Sequence, residues 1–554
     1  HLNVSAGTFT LGNSAAATWS NAGTIAVSGG TLNLGGAIKT DNLGTINQSA
    51  TGIVNFVGTL DNTAASNPTT AGTLNLSTVG ITNLVMVGGT LTGGTVTGAP
   101  ITATSGTLDG ITLDTDLTIG LSDNLHLKNG LTFANNHVLN VGPGAGNGHS
   151  FLYYDNTQTI TGSGQIVFGA ASGYTSFLEA NSNNGSILTL DTGITLAAKA
   201  GPTGNVQLGA STYDKIVNQG TITANQSGYT FTTYGTFTNA AGAHLNVSAG
   251  TFTLGNSAAA TWSNAGTIAV SGGTLNLNGT FARTDLGTLN HSSGAFNISG
   301  TLDLATGSIN IASGGTFGAG GLGTLSGTIK NGTISGAIGG TTLTSSNGTL
   351  DNVTLATSIT ESGTLNIKNT VTLANGTTFD TGSNTVFFSS SNATIAAAGT
   401  ATLLKSGGNL STNGNFTSII GAGVTVQGYG ALTNAGYGAA AWQNDGIIDA
   451  NVAGQILTVG NATFTNNGTA KATAGTLFIS ATNFVNNSGH TLQSAGGTTT
   501  LNATTWTNSG TFDASSGTLD VGGSFTLAGL GTLNHSGGAF NISGTLDLAT
   551  GSIN

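Results

Sequence analysis

Cysteine is absent from the 554 residues, proline occurs 4 times, methionine once, and only 5% of residues are charged. Without cysteine no disulfide framework can hold the fold, which agrees with an extracellular protein that does without disulfides but does not fix a compartment. Glutamate is confined to Glu179 and Glu361 and arginine to Arg283, so the usual helix formers are scarce. Thr, Ser, Asn and 91 Gly take their place, and each of these is a weak helix former. These shortages exclude a helical bundle and an α/β enzyme. The hydrophobic fraction of 38% is enough for a core and excludes plain disorder. An all-β chain is expected.

Positive charge is also in short supply, with 9 basic against 20 acidic residues and a formal net charge of −11. The basic residues stand singly along the sequence: Lys39, Lys128, Lys199, Lys215, Arg283, Lys330, Lys368, Lys405 and Lys471. No basic patch is available to neutralise phosphates, so neither nucleic acid nor an anionic lipid surface is expected as a partner. No apolar run reaches the ~18 residues needed to span a bilayer, so direct membrane insertion is not expected in this segment. The segment opens on His1, and any export signal is expected to lie outside it.

What the chain has instead is repetition. HLNVSAGTFTLGNSAAATWSNAGTIAVSGGTLNL runs from His1 and again, unchanged, from His244, and a divergent copy starts at His490. These starts define a first unit over 1–243, a second over 244–489 and a partial third over 490–554, expected to form one solenoid without flexible linkers. A shorter pattern lies inside them: a bulky apolar residue, any residue, Asn, one or two residues, then Gly. It places Trp19, Asn21 and Gly23 in WSNAG, Asn218 and Gly220 in IVNQG, Asn239 in FTNAAG, and Trp262, Asn264 and Gly266 in the second WSNAG. Later members hold Trp442 and Asn444, then Phe464, Asn466 and Gly468, then Phe484 and Asn486, and finally Trp506, Asn508 and Gly510. Between them lie G-T-apolar-x-apolar pieces such as GTLNL at Gly30 and GTLDL at Gly300.

Each piece reads as a short strand of period two, apolar residues inward and Thr or Asn outward, bounded by Gly or Asn. Strands of ~4–6 residues recurring about every 20–25 residues fit the coils of a parallel β-solenoid, about 25 of them along the chain. Asn and Gly are expected to supply left-handed corners, and stacked coils bring Asn over Asn at ~4.8 Å, close enough for an amide ladder. An antiparallel sandwich uses the same residue types but does not explain a phase sustained through several coils.

The N-x-G-T-apolar coils with GTL strands resemble the haemagglutinin-type repeats of large secreted bacterial adhesins, among them filamentous haemagglutinin, two-partner-secreted exoproteins and autotransporter passengers. The resemblance implies a right-handed parallel β-helix, export across a Gram-negative outer membrane and a role at the cell surface. It carries over no functional residue, because no catalytic or ligand motif of that family matches here.

Candidate sites are few. The Trp positions could stack on sugars, but ring filling of the interior is the stronger expectation. His1, His244 and His490 coincide between units, and His291 matches His535 where the first unit has Gln48; each is expected to be a polar residue on the surface, with no metal-ligand spacing. Asp114 and Asp116 could chelate a hard cation, although the second unit lacks them and a solvated pair is expected. GAGGLG from Gly318 is a chance glycine match without βαβ context. A β-helical polysaccharide enzyme would need converging carboxylates, and those are not retained between units. An ice-binding face would need an in-phase threonine array, and TFT at Thr8 and TVT at Thr95 read as out of phase. The segment 121–207, with GPGAGNG, SFLYYDN and SGYTSFLEA, departs most from the coil pattern, so Tyr153, Tyr154 and Tyr174 are its candidates for surface contact. The expectation is a non-enzymatic, cofactor-free, extracellular fibrous protein of adhesin type, partnered by surface glycans or by itself. The alternative is a self-assembling filament or sheath subunit.

Overall fold

The computed structural model describes residues 1–63, 72–144, 146–182, 184–201, 203–548 and 550–552. Ala145 of GPGAGNG and the last two residues of the third sequence unit fall outside them. Strands hold 59% of the residues and helices 3%, and the strands stack in parallel through about 24 turns, which makes the chain a parallel β-solenoid. It forms two compact units, His1–Phe296 and Asn297–Asn554.

The coil is clearest in the second unit. Ala441–Asn444, Ile447–Ala450 and Ile456–Val459 make one turn, and Thr463–Asn466, Thr469–Ala472 and Thr476–Ile479 make the next. Each strand lies beside its counterpart: Trp442 next to Phe464, Phe464 next to Phe484, Phe484 next to Trp506. The first unit repeats this geometry, with Ile216 next to Phe237 and Phe237 next to Trp262. Period-two alternation sets the faces. Thr463 and Thr465 point outward while Phe464 and Asn466 are fully buried. Each fully buried Leu, Ile or Phe contributes roughly 1.5–3 kcal/mol, and a turn buries several. That repeated burial lets short Thr-rich strands persist without helices or disulfides.

Turn length varies more widely than the spacing of the sequence motifs suggests. The turn that brings Leu350 beside Ile367 is short, whereas the one that brings Ile160 beside Leu190 is long. Corners absorb the difference, because the strand pairing fixes only the residues between corners. The segment 121–207 is therefore not a departure from the coil. Its strands Asn124–Val141, Ser150–Tyr154 and Thr175–Ala180 pair in parallel like the rest, and only its corners are longer.

Helix is nearly absent, as the composition requires. Leu76–Val79 makes a single turn, with the Asn75 side chain accepting from the Thr78 N–H (3.0 Å) and Gly80 closing it at φ 91°. The short 3-10 turns Thr40–Asn42, Arg283–Leu286 and Ala528–Leu530 fall at equivalent places in the three repeats, one turn beyond Trp19, Trp262 and Trp506.

Candidate functional site

The N-x-G motif is an inward structural device. Asn218 Nδ2 donates to Asn239 Oδ1 (2.8 Å), Asn239 to Asn264 (2.7 Å), and Asn264 to the Leu286 carbonyl (2.7 Å). In the second unit Asn444 donates to Asn466 (2.8 Å), Asn466 to Asn486 (2.8 Å), Asn486 to Asn508 (2.7 Å), and Asn508 to the Leu530 carbonyl (2.6 Å). Asn21 makes the corresponding terminal bond to Leu43 (3.0 Å). Every ladder runs in one direction and ends on a carbonyl at the 3-10 turn. The side-chain oxygen also serves locally at three of them: the Gly23, Gly220 and Gly510 N–H groups donate to the Asn two residues before them.

The corner chemistry differs from the sequence reading. Neither these asparagines nor Gly23, Gly220, Gly266, Gly468 and Gly510 take the left-handed conformation. At Gly220, Gly266, Gly468 and Gly510 glycine is needed because the neighbouring turn is too close. A Cβ on Gly468 would lie 2.0 Å from the Gly446 carbonyl oxygen, and one on Gly510 2.3 Å from that of His490. The left-handed asparagines are a separate set, Asn129, Asn331, Asn352, Asn369 and Asn392 among them, with φ between 51° and 58°.

The tryptophans face inward too. Trp262 is 3% exposed and Trp442 1%, and Trp19, at the first turn, is half-buried. The indole N–H of Trp19, Trp262 and Trp506 donates in each case to a carbonyl 16 residues on, at Gly35, Asn278 and Gly522 (2.8, 2.8 and 3.0 Å). Trp262 packs on Phe281 and Trp506 on Phe525, with ring centroids 4.6 and 4.7 Å apart. His291 is buried rather than a surface residue. Its Nε2–H donates to Gly294 (3.2 Å), as that of His535 does to Gly538 (2.6 Å), and in the first unit Gln48 Nε2 donates to Gly52 (2.9 Å). The Gln–His exchange between units thus keeps one loop-closing bond.

Outward positions carry the remaining candidates. Tyr154 is fully buried, its hydroxyl donating to the Lys215 carbonyl (3.4 Å), so it is no surface contact; alternation along Ser150–Tyr154 turns it inward. Tyr153 and Tyr174 do reach the outer face, half-buried in a run of rings. Phe177 stacks on Phe151 (4.8 Å), Phe151 on Tyr153 (5.5 Å), Tyr153 meets His126 (4.9 Å), and His149 meets Tyr174 (5.4 Å). Glu179, beside Tyr153 in register, is nearly buried, and burial together with nearby Asp214 pushes its carboxyl up to about 7.

Coil stacking also gathers residues that are distant in sequence. His137 places Nδ1 3.0 Å from Asp116 and Nε2 3.4 Å from Asp114. Asp114 further accepts from Asn135 (2.7 Å) and Thr97 (3.0 Å), and these bonds hold its carboxyl below the usual range. The pair is thus engaged by protein donors. Thr8 lies beside Thr31 and Thr31 beside Ile53, whereas one T-x-T piece, at Thr95, does fall in a threonine column: Thr73, Thr95, Thr112, Thr132 and Thr161 align across five turns. Its neighbouring column is broken by Asn75 and Asp114, which leaves a single file rather than a flat array.

Two further features were not read from the sequence. Lys and Asp, scattered in one dimension, stack in register: Asp303 beside Lys330, Lys330 beside Asp351, Asp351 beside Lys368, and likewise Lys39 beside Asp61, Asp109 beside Lys128, and Asp449 beside Lys471. The available signal was the residue after the apolar position in GTL[D/N] and I-K-N pieces. Inside the second unit, Glu361 and Lys405 are each 1% exposed, and their charged atoms have no hydrogen-bond partner among the described residues. Burial pushes Glu361 up to about 7 and Lys405 down to about 8.

No family model, curated protein or solved structure matches the chain.

Proposed function

We propose that the protein is a non-enzymatic, extracellular fibrous element of the adhesin type. The observation that carries the proposal is the use made of its repeated residues. The Asn ladders and Trp locks join one turn to the next, the His or Gln bonds close a loop within a turn, and much of the outer face is made of threonine columns. Near-duplicated units retain those joints while exchanging outward residues, as in the replacement of Asp114 and Asp116 by other residues in the second unit. A chain organised around one reaction would keep the opposite set. Tension along the axis of a unit loads all the backbone bonds between two turns at once, since they run from turn to turn. Such an element suits reach and mechanical persistence, and cell-surface display follows the resemblance to secreted adhesin repeats.

Contact with surface glycans is assigned to the outward rings of Phe151, Tyr153, Tyr174 and Phe177, whose apolar surface and hydroxyls match the mixed character of a sugar. Negative-stain micrographs of the native protein, together with a glycan-array screen of wild type and Tyr153→Ala/Phe177→Ala, test the reading. Slender particles and a glycan signal lost in the variant are expected. Globular particles, or a signal indifferent to those rings, contradict it.

A further inference from the structure

In a chain with 5% charged residues, four charges occupy one column of four successive turns and alternate in sign: Asp303, Lys330, Asp351, Lys368. Stacking at about 4.8 Å forbids like charges on adjacent turns, which explains the alternation. It does not explain why charge is placed there at all, since Thr or Asn serves every neighbouring column without repulsion. The first unit has the corresponding column as Lys39, Asp61, Thr92, Asp109 and Lys128, so the position recurs but only the second unit alternates throughout.

Within its own chain three of the four charges have a polar partner. Lys330 Nζ lies 3.1 Å from Asp303, and Asp351 accepts from Asn369 (2.6 Å). Lys368 is exposed and forms no ion pair with any described carboxylate. Beside the charges stand the threonines Thr301, Thr328 and Thr349, short side chains that do not hold a second surface away.

We infer that this column is a seam for a second copy of the chain, laid antiparallel across a two-fold axis between Lys330 and Asp351. Read in opposite directions, the series −, +, −, + is its own complement. Asp303 meets Lys368 of the other copy, Lys330 meets Asp351, and all four charges are paired without any shift. The first-unit column, with Thr92 in place of the lysine, would leave Asp109 unmatched. The inference rests on the fibrous reading and gives it a mode of lateral association.

The test is sedimentation velocity of the full chain at about 20 mM and about 0.5 M NaCl, conditions that span weak and strong screening. Wild type is expected to associate at low salt and dissociate at high salt. An all-acidic column (Lys330→Asp/Lys368→Asp) and an all-basic one (Asp303→Lys/Asp351→Lys) should each stay monomeric alone. Mixed in equal amounts they should associate at least as well as wild type, because opposite columns then face one another. Circular dichroism confirms folding. Should either variant unfold, the neutral column Asp303→Asn/Lys330→Gln/Asp351→Asn/Lys368→Gln replaces it and should lower association at least about tenfold. Wild type monomeric at low salt, association that persists in the neutral column, or mixtures that fail to recover would each overturn the seam. The fibrous reading stands or falls separately on the micrographs.

Discussion

Gly468 and Gly23 occupy the same place in the N-x-G motif, yet substitution should affect them very differently. A Cβ at Gly468 meets the Gly446 carbonyl oxygen at 2.0 Å, whereas at Gly23, on the first turn, the nearest atom is Asn21 Oδ1 at 3.8 Å. Gly468→Ala should lower stability by about 1–3 kcal/mol or more through forced separation of turns, and Gly23→Ala should leave it nearly unchanged; urea midpoints decide. The ladder makes a parallel case. Asn466→Asp keeps the acceptor for Asn444 but loses the donor to Asn486 and buries charge, so it should cost at least the roughly 1–3 kcal/mol of an unsatisfied buried group. The motif itself was legible in sequence because its period is short and its residues are distinctive. Its reason was not: left-handed backbone and close approach both call for glycine, and only the neighbouring turn shows which one applies.

Glu361 and Lys405 give the second unit an unusual pH dependence. Glu361 ordinarily titrates at 4.5 and Lys405 at 10.5, and burial brings them to about 7 and about 8. Between pH 4.5 and 7 the folded chain keeps a proton on Glu361 that the unfolded chain releases, so stability falls as pH rises. Between pH 8 and 10.5 the unfolded chain holds a proton on Lys405 that the folded chain has shed, so stability rises with pH. Each limb is on the order of 3 kcal/mol, and a minimum lies between pH 7 and 8. Thermal midpoints across pH 4–11 should show this trough; Glu179, also pushed up to about 7, adds to the acid limb, so Glu361→Gln should make that limb shallower and Lys405→Met should flatten the alkaline one. A maximum at neutral pH would contradict it.

At the scale of the element, the strand register is held from turn to turn while the turn length is not. Thr463 lies beside Asn483 and Phe464 beside Phe484, so deleting residues 463–482 removes one turn and joins Ala462 to a strand in the same phase. That variant should fold with a β-sheet circular dichroism spectrum and a modestly lower midpoint. Deleting only 463–472 carries Leu477 and Ile479 into the outward places of Asn467 and Thr469 and should abolish cooperative unfolding. Strand existence and facing were readable from period-two alternation. The spread between the short turn after Leu350 and the long one after Ile160 was not, because corners carry no period. The same limit explains Tyr154: its neighbourhood in SFLYYDN looked like an aromatic loop, but alternation along a strand buries every second residue. The Asp–Lys column was hidden for a related reason, since residues on successive turns become neighbours only once each turn's length is known.

For the molecule as a whole, the account depends on turns that run in one direction and lie in the stated register. The chain has no cysteine, so an introduced pair reports on this cleanly. Thr465 and Val485 are partners on adjacent turns of the second unit, as Thr238 and Ser263 are in the first. Parallel neighbours at about 4.8 Å fall within the Cα separation a disulfide accepts. Oxidation of folded Thr465→Cys/Val485→Cys and Thr238→Cys/Ser263→Cys, read as free thiol by mass spectrometry, should give near-complete intramolecular bonds in both units. Thiols that remain free in the folded protein would contradict the stacked parallel coil.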